Sequence, residues 1–182
     1  MRNMSDEEKQ IGGLDKIKYP AKEIGYNYKE LPEGWWQSAE FLMPRENEPS
    51  AFEALHDFMI NKIVPSPIAV ELAGHFVSRV ILLEVEHPQK EEFEYVRIMI
   101  SPTDIAPGIP EAEADLIVHI NYYDLMRVLN GEPNFDIMTP LWAGAGTLIG
   151  NVTAGLDLKD ILDAAVEKEK VPRPQIWPLG NP

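Results

Sequence analysis

The chain of 182 residues has no cysteine. It therefore has no disulfide framework, no thiol nucleophile and no thiolate metal site, and its fold needs no oxidising compartment. Positive charge is also scarce. Lys and Arg number 16 against 30 Asp and Glu, a formal charge of −14, and such a surface repels nucleic-acid phosphates and anionic lipid headgroups alike. Long apolar runs are missing: the longest purely apolar strand-like run, Val80 to Leu83, falls far short of the ~20 residues that span a bilayer. The first ten residues, MRNMSDEEKQ, lack the apolar centre of a secretory signal. These absences predict a soluble, cytoplasmic protein with no nucleic-acid partner and no stable membrane insertion. Hydrophobic residues make up 45% and charged residues 25%, enough apolar material for one well-buried core, and the length suits a single domain with extensions.

Proline, in contrast, is abundant, at 16 residues. Pro20, Pro32, Pro44 and Pro49 punctuate residues 1–49, which read as a polar start followed by an irregular N-terminal arm. Its Tyr26, Tyr28, Trp35, Trp36 and Phe41 are too apolar for a free linker, so the arm docks either on this domain or on a second copy. Pro172, Pro174, Pro178 and Pro182 make residues 169–182 an extended C-terminal tail. The main domain spans 50–168.

Within it, Ser50-Ala51-Phe52-Glu53 forms a capping box that opens an amphipathic helix carrying Phe52, Leu55, Met59 and Ile63 and ending before Pro65. A short helical turn follows at Ile68 to His75. Val77 to Glu86 and Phe93 to Ser101 are rich in β-branched and aromatic residues and read as a hairpin, and Leu116 to Ile120 reads as a third strand after a turn-rich segment from Pro102 to Ala114. Asn121 caps a helix over Tyr122 to Asn130, stopped by Gly131. Phe135 to Gly155 is apolar and glycine-punctuated, with a strand within Thr147 to Thr153. Asp157 is placed to cap a last helix over Leu158 to Lys168.

Motifs for chemistry are sparse. Gly144, Gly146 and Gly150 follow GxGxxxG spacing, without the Lys-Ser/Thr of a P-loop or a βαβ frame, so they read as packing and bending glycines. His56, His75, His87 and His119 have no metal-ligand spacing. Glu84 and Glu86 beside His87 read as a solvated strand face, and a His/Glu site at Glu84, Glu86 and His119 is the enzymatic alternative. No serine stands in a nucleophile elbow. What remains is apolar: Met126, Leu129, Phe135, Ile137, Met138, Leu141, Trp142 and Leu148 gather thioethers and flat rings. They suit core packing individually and a cavity wall collectively, because Met adapts to variable shapes.

The order of elements, with Ala114-Asp115 leading the strand Leu116 to Ile120, a short helix closing on Leu129-Asn130-Gly131, and Gly144, Gly150 and Asn151 framing a later strand, resembles the sterol carrier protein 2 (SCP2) family over residues 50–168. The resemblance implies an α+β fold, a five-stranded, mainly antiparallel sheet with helices covering one face around a hydrophobic tunnel. It also implies a non-catalytic protein without cofactor or metal that binds, and transfers or presents, a fatty acid, acyl-CoA or sterol-like molecule. By element, the tunnel wall would draw on Met126, Leu129, Phe135, Met138, Leu141, Trp142, Leu148, Val152, Ile161, Leu162 and Ala165. Family members often carry alternating lysines between the two glycines. Here Ala145 to Ile149 is uncharged, which with the −14 charge argues against an acyl-CoA head or docking on acidic membranes. The alternatives are an oligomerisation module, with the Trp35/Trp36 arm clasping a second copy as a homodimer, and an accessory subunit to an enzyme acting on hydrophobic substrates.

Overall fold

The computed structural model describes residues 28–168. The polar start and the proline-rich tail read from the sequence lie outside them. Five strands form one open sheet: β1 (Arg79–His87), β2 (Glu92–Ile100), β3 (Asp104–Pro107), β4 (Leu116–Asn121) and β5 (Thr147–Gly150), in the spatial order β3-β2-β1-β4-β5. The β1–β4 pair is parallel and the other three pairs are antiparallel, so the sheet is mainly antiparallel. Alternation divides its faces. Ile81, Leu83 and Val85 of β1 share one face with Val96 and Ile98 of β2, Ile105 of β3 and Leu116, Val118 and Ile120 of β4, all buried.

The helices pack on that inner face. α1 (Ala51–Phe58) begins with the capping box: the Glu53 amide donates to the Ser50 hydroxyl at 3.1 Å, and the Ser50 amide donates to the Glu53 carboxylate at 2.8 Å. Two more amides at this end, of Ala51 and Phe52, donate to the Glu94 carboxylate of β2 at 2.7 and 2.9 Å. A carboxylate at a helix N-terminus satisfies orphan donors and the helix dipole together, so the sheet edge sets where α1 starts. Without a break α1 widens into a π-helical turn, Met59–Ile63. There follow α2 (Pro67–His75), α3 (Tyr122–Leu129), α4 (Met138–Trp142) and α5 (Val152–Ala165). α1 lies over β2 and β3, α3 and α5 lie over β1 and β4, and α2 packs on α5.

Several elements differ from the sequence reading. β3 occupies part of the segment read as turns: only Ile105 of this four-residue strand is buried, too little for periodicity to reveal. α4 forms where an irregular loop was expected. α5 begins at Val152, capped by Asn151, whose side chain accepts from the Thr153 amide at 3.0 Å. Asp157, read as the cap, is buried inside the helix. Thr153 and Gly155 are poor helix formers and hid this first turn. Gly155 serves instead to bring the helix close to β4, since a Cβ there would stand 3.2 Å from Leu116 Cδ2.

Residues 28–49 carry no regular element beyond a 3-10 turn at Trp35–Gln37, and they pack on their own domain. Trp35 is buried with its ring centroid 6.4 Å from that of Tyr122, and its Nε1 donates to Glu48 at 3.1 Å. The other Glu48 oxygen meets His87 Nε2 and Lys90 Nζ, each at 3.2 Å. His87 in turn stacks on Tyr122 at 4.5 Å, and the Tyr122 hydroxyl donates to the Pro49 carbonyl at 2.6 Å. The aromatic pair thus has its docking surface within the same chain. Further along, Phe41 and Leu42 are buried in the common core. We refer to residues 38–45 as the strap.

Burial works to raise the Glu48 pKa but is outweighed by the hydrogen bonds from Trp35, Lys90 and His87, which leave it below the ordinary 4.5. A lowered carboxylate contributes stability that is complete above the unfolded value and is lost as pH falls through the folded one. Glu48→Gln should therefore cost about 1 kcal/mol at neutral pH and progressively less below pH 4.5, as read by urea denaturation across the acid range. Gly150 has φ +113°, and a Cβ there would fall 2.4 Å from the Asp115 carbonyl oxygen. Gly150→Ala should destabilise by more than about 2 kcal/mol in the same assay, whereas Gly108→Ala, with open space around it, should cost about 1 kcal/mol from its positive φ alone.

Candidate functional site

The helix layer meets the sheet along an apolar seam. Leu55 and Phe58 of α1, Ile63 of the π-turn, and Leu158, Ile161 and Leu162 of α5 face Ile98, Met99 and Ile100 of β2 and Ile105 of β3 around a void of about 20 Å³, with Thr103 the one polar side chain in its lining. A space of that size admits about one water-sized probe. The expected tunnel is thus closed in this structure, its volume taken up by side chains that meet across the layer.

Of the residues assigned to a tunnel wall, Ile161 and Leu162 reach this void. Met126, Phe135 and Met138 are buried in the same core cluster, and Leu141 and Leu148 pack partly buried against it. Phe135 also carries the Arg127 guanidinium 3.7 Å above its ring. Leu129 and Ala165 are buried and line an external groove described below. Trp142 and Val152 are not brought to the void: they are 77% and 48% exposed. Trp142 ends α4 and turns outward. Val152, expected on the last strand, is the first residue of α5, where a helix's opening turn projects past the sheet. Phe58, Ile98 and Ile105 were not anticipated. Phe58 falls off the stripe read for α1, Ile105 lies in the segment read as turns, and nothing local indicates that Ile98 of β2 faces them.

On the other side of α5 and the π-turn lies an open groove of about 1110 Å³. Its walls are the strap, the start of α2 and the C-terminal ends of α3 and α5, and it mixes polar groups (Asn61, Lys62, Asn130, Lys168) with apolar ones (Phe41, Leu129, Val166). Lys168 donates to the Phe135 carbonyl. Burial lowers its pKa, against the opposing pull of Asp163 and Asp136.

The outer sheet face carries the remaining titratable cluster. His119 Nδ1 lies 3.5 Å from Glu84 Oε1 and its Nε2 lies 3.7 Å from Glu86 Oε2, with the Phe93 ring 5.6 Å away. Glu84 is 1% exposed, not part of a solvated face as its alternation suggested. His87 belongs to the opposite face with Glu48 and Tyr122. Among the described residues no group of three His, Asp or Glu side chains is arranged to hold a metal ion, and no helix is long and apolar enough to cross a membrane.

An open sheet in this order, with a parallel central pair and its helices on one face, defines an α+β architecture. Comparison with solved structures gives it a more particular form. The sterol carrier protein domain 2 of Helicoverpa armigera matches with a TM-score of 0.51, at 14% identity, over 70% of this chain and 98% of that one. The apo form of sterol carrier protein 2 from Yarrowia lipolytica matches at 0.49, with 15% identity over 65% and 95% of the two chains. Palmitated SCP2L2 from Aedes aegypti matches at 0.41, with 14% identity over 56% and 92%. The fold is SCP2-like. No protein-family profile and no curated protein sequence matches the chain.

The contrast between wall and surface is testable by substitution. Phe58→Ala should cost about 3–5 kcal/mol through the cavity it leaves, and Trp142→Ala less than about 0.5 kcal/mol, in equilibrium urea denaturation. Tryptophan emission should lose a solvent-exposed, red-shifted component in the Trp142 variant.

Proposed function

We propose that this domain binds a hydrophobic small molecule or lipid in the layer between α1, α5 and the sheet, and carries or presents it to another protein without performing chemistry on it. The observation that carries this reading is the apolar seam itself. Around its void, Thr103 is the one polar side chain, and it is bordered by a π-helical turn whose Val64 amide donates to the Met59 carbonyl at 2.9 Å. Turns of this kind loosen helix packing and recur at functional positions. The SCP2-like fold supports the same reading.

Burial of a chain of about sixteen carbons offers roughly 12 kcal/mol gross at ~0.8 kcal/mol per methylene. Several kcal/mol are lost to association and ordering, and opening a closed seam takes more. A micromolar dissociation constant, about −8 kcal/mol, corresponds to about 4 kcal/mol for all these costs together. The uncharged Thr147–Gly150 strand and the −14 charge favour a neutral or singly charged ligand such as a sterol or fatty acid over an acyl-CoA.

Displacement of a fluorescent fatty acid by palmitate, cholesterol or palmitoyl-CoA tests the proposal. Palmitate or cholesterol should displace it saturably near micromolar concentration, and Ile161→Trp, which fills the seam, should weaken binding by about tenfold while the far-ultraviolet circular dichroism is retained. Absence of saturable binding by all three probes to the folded protein would overturn it.

A further inference from the structure

The groove and the interior void are separated by two aromatic rings. Phe41 of the strap lines the groove, Phe58 of α1 lines the void, and their ring centroids stand 5.8 Å apart in an edge contact. The same adjacency repeats along the chain: Lys62 borders the groove and Ile63 the void, while Ala165 borders the groove and Leu162 the void. At Phe41 and Phe58 the partition is therefore two rings thick, and elsewhere it consists of the π-turn and the C-terminal half of α5 themselves.

Its outer ring is held by polar contacts that do not belong to the core. The Asn61 side-chain amide donates to the Phe41 carbonyl at 3.0 Å, and the Met43 amide donates to Asp57 Oδ2 at 2.9 Å. Arg45 pairs with Asp57 and, at 3.4 Å, with Glu53. Phe41 is 1% exposed, yet it sits on a segment with no ladder of backbone hydrogen bonds, and such segments open at lower free energy than strands or helices.

We propose that the groove is the portal through which a hydrophobic ligand reaches the seam, and that Phe41 is its plug, withdrawn when the strap lifts from α1 and the π-turn. Lifting the strap breaks the Asn61 and Met43 hydrogen bonds and leaves the sheet intact. The inference rests on the binding function above for what passes through, while the opening itself is a property of the free protein. A ligand moving inward would leave its polar end at the groove, beside Asn61, Lys62 and Asn130. That arrangement suits a neutral or singly charged head carrying hydroxyl or carboxylate oxygens.

The absence of cysteine from the chain permits a test that needs no ligand. Leu162→Cys places a single thiol on the void, and Leu83→Cys places one on the inner sheet face away from it, where modification requires global unfolding. Reaction of the full-length protein with an aromatic disulfide reagent should be about tenfold faster at position 162 when Asn61→Ala is added, and faster still with Phe41→Ala, while position 83 changes less in both backgrounds. Equal acceleration at the two positions, or none at 162, would overturn the portal. In stopped-flow mixing, fluorescent fatty acid should associate faster with Asn61→Ala than with the parent. If no ligand binds while the labelling pattern holds, the binding function fails and the gate stands. If ligand binds but labelling at 162 is insensitive to the strap, the portal fails alone.

Discussion

Asp115 stands where three segments meet. Its amide donates to the Val80 carbonyl and its carboxylate accepts from the Val80 amide, both at 2.8 Å, which holds β4 in parallel register beside β1. Its own carbonyl accepts from the Asn151 amide at 2.8 Å, so the residue that starts β4 also receives the cap of α5. Gly150 passes over that carbonyl so closely that no side chain fits. Parallel neighbours need a long connection between them, and here that connection holds β2 and β3. Once β1 and β4 are adjacent, β2 and β3 fall to one side of the sheet and β5 to the other, and α5 begins beneath the centre. The position of the seam follows from this junction.

The layer above the sheet is held by carboxylates used as anchors. Glu94 receives the first amides of α1, Asp57 receives the strap, and Glu48 collects Trp35, His87 and Lys90. Glu94 joins a helix to a strand, Asp57 and Glu48 bring the irregular arm against regular elements, and acceptors of this kind are satisfied because an unpaired carboxylate in the interior is far more costly than a paired one. In a chain with so many acidic groups, these three meet backbone amides or side-chain N–H groups, while Asp124 pairs with Arg127 and Glu84 lies beside His119 in the interior, and the exposed acids give the surface its negative field.

The proposed carrier would have to hold its cargo and release it, demands that conflict in a rigid core. The seam has side chains that meet over a small void, next to a π-helical turn and a strap held by buried Phe41 and Leu42 together with polar contacts to Asn61, Asp57 and Glu53. The polar contacts contribute modestly in water, and burial of the two apolar side chains supplies most of the strap's hold. The −14 charge works against attachment to anionic membranes.

Local signals account for much of the framework. The capping box at Ser50, the alternation of β1 and β2, the Asn121 cap and the left-handed Gly131 are each set by residues within four positions of one another, and the order of elements sufficed to suggest the SCP2-like arrangement. Elements whose reason is distant were misread. The first turn of α5 exists because Gly155 packs against Leu116, β3 because Ile105 pairs with Ile98, and the arm's docking depends on Glu48 meeting His87 across the fold. Composition determined that the chain would bury one apolar core, carry no thiol chemistry and repel polyanions. Tertiary structure alone decided that Trp142 faces water, that Glu84 and His119 are buried together, and that the Phe41 and Phe58 rings meet. Contact between faces of separate elements depends on their relative placement, and no local periodicity encodes it.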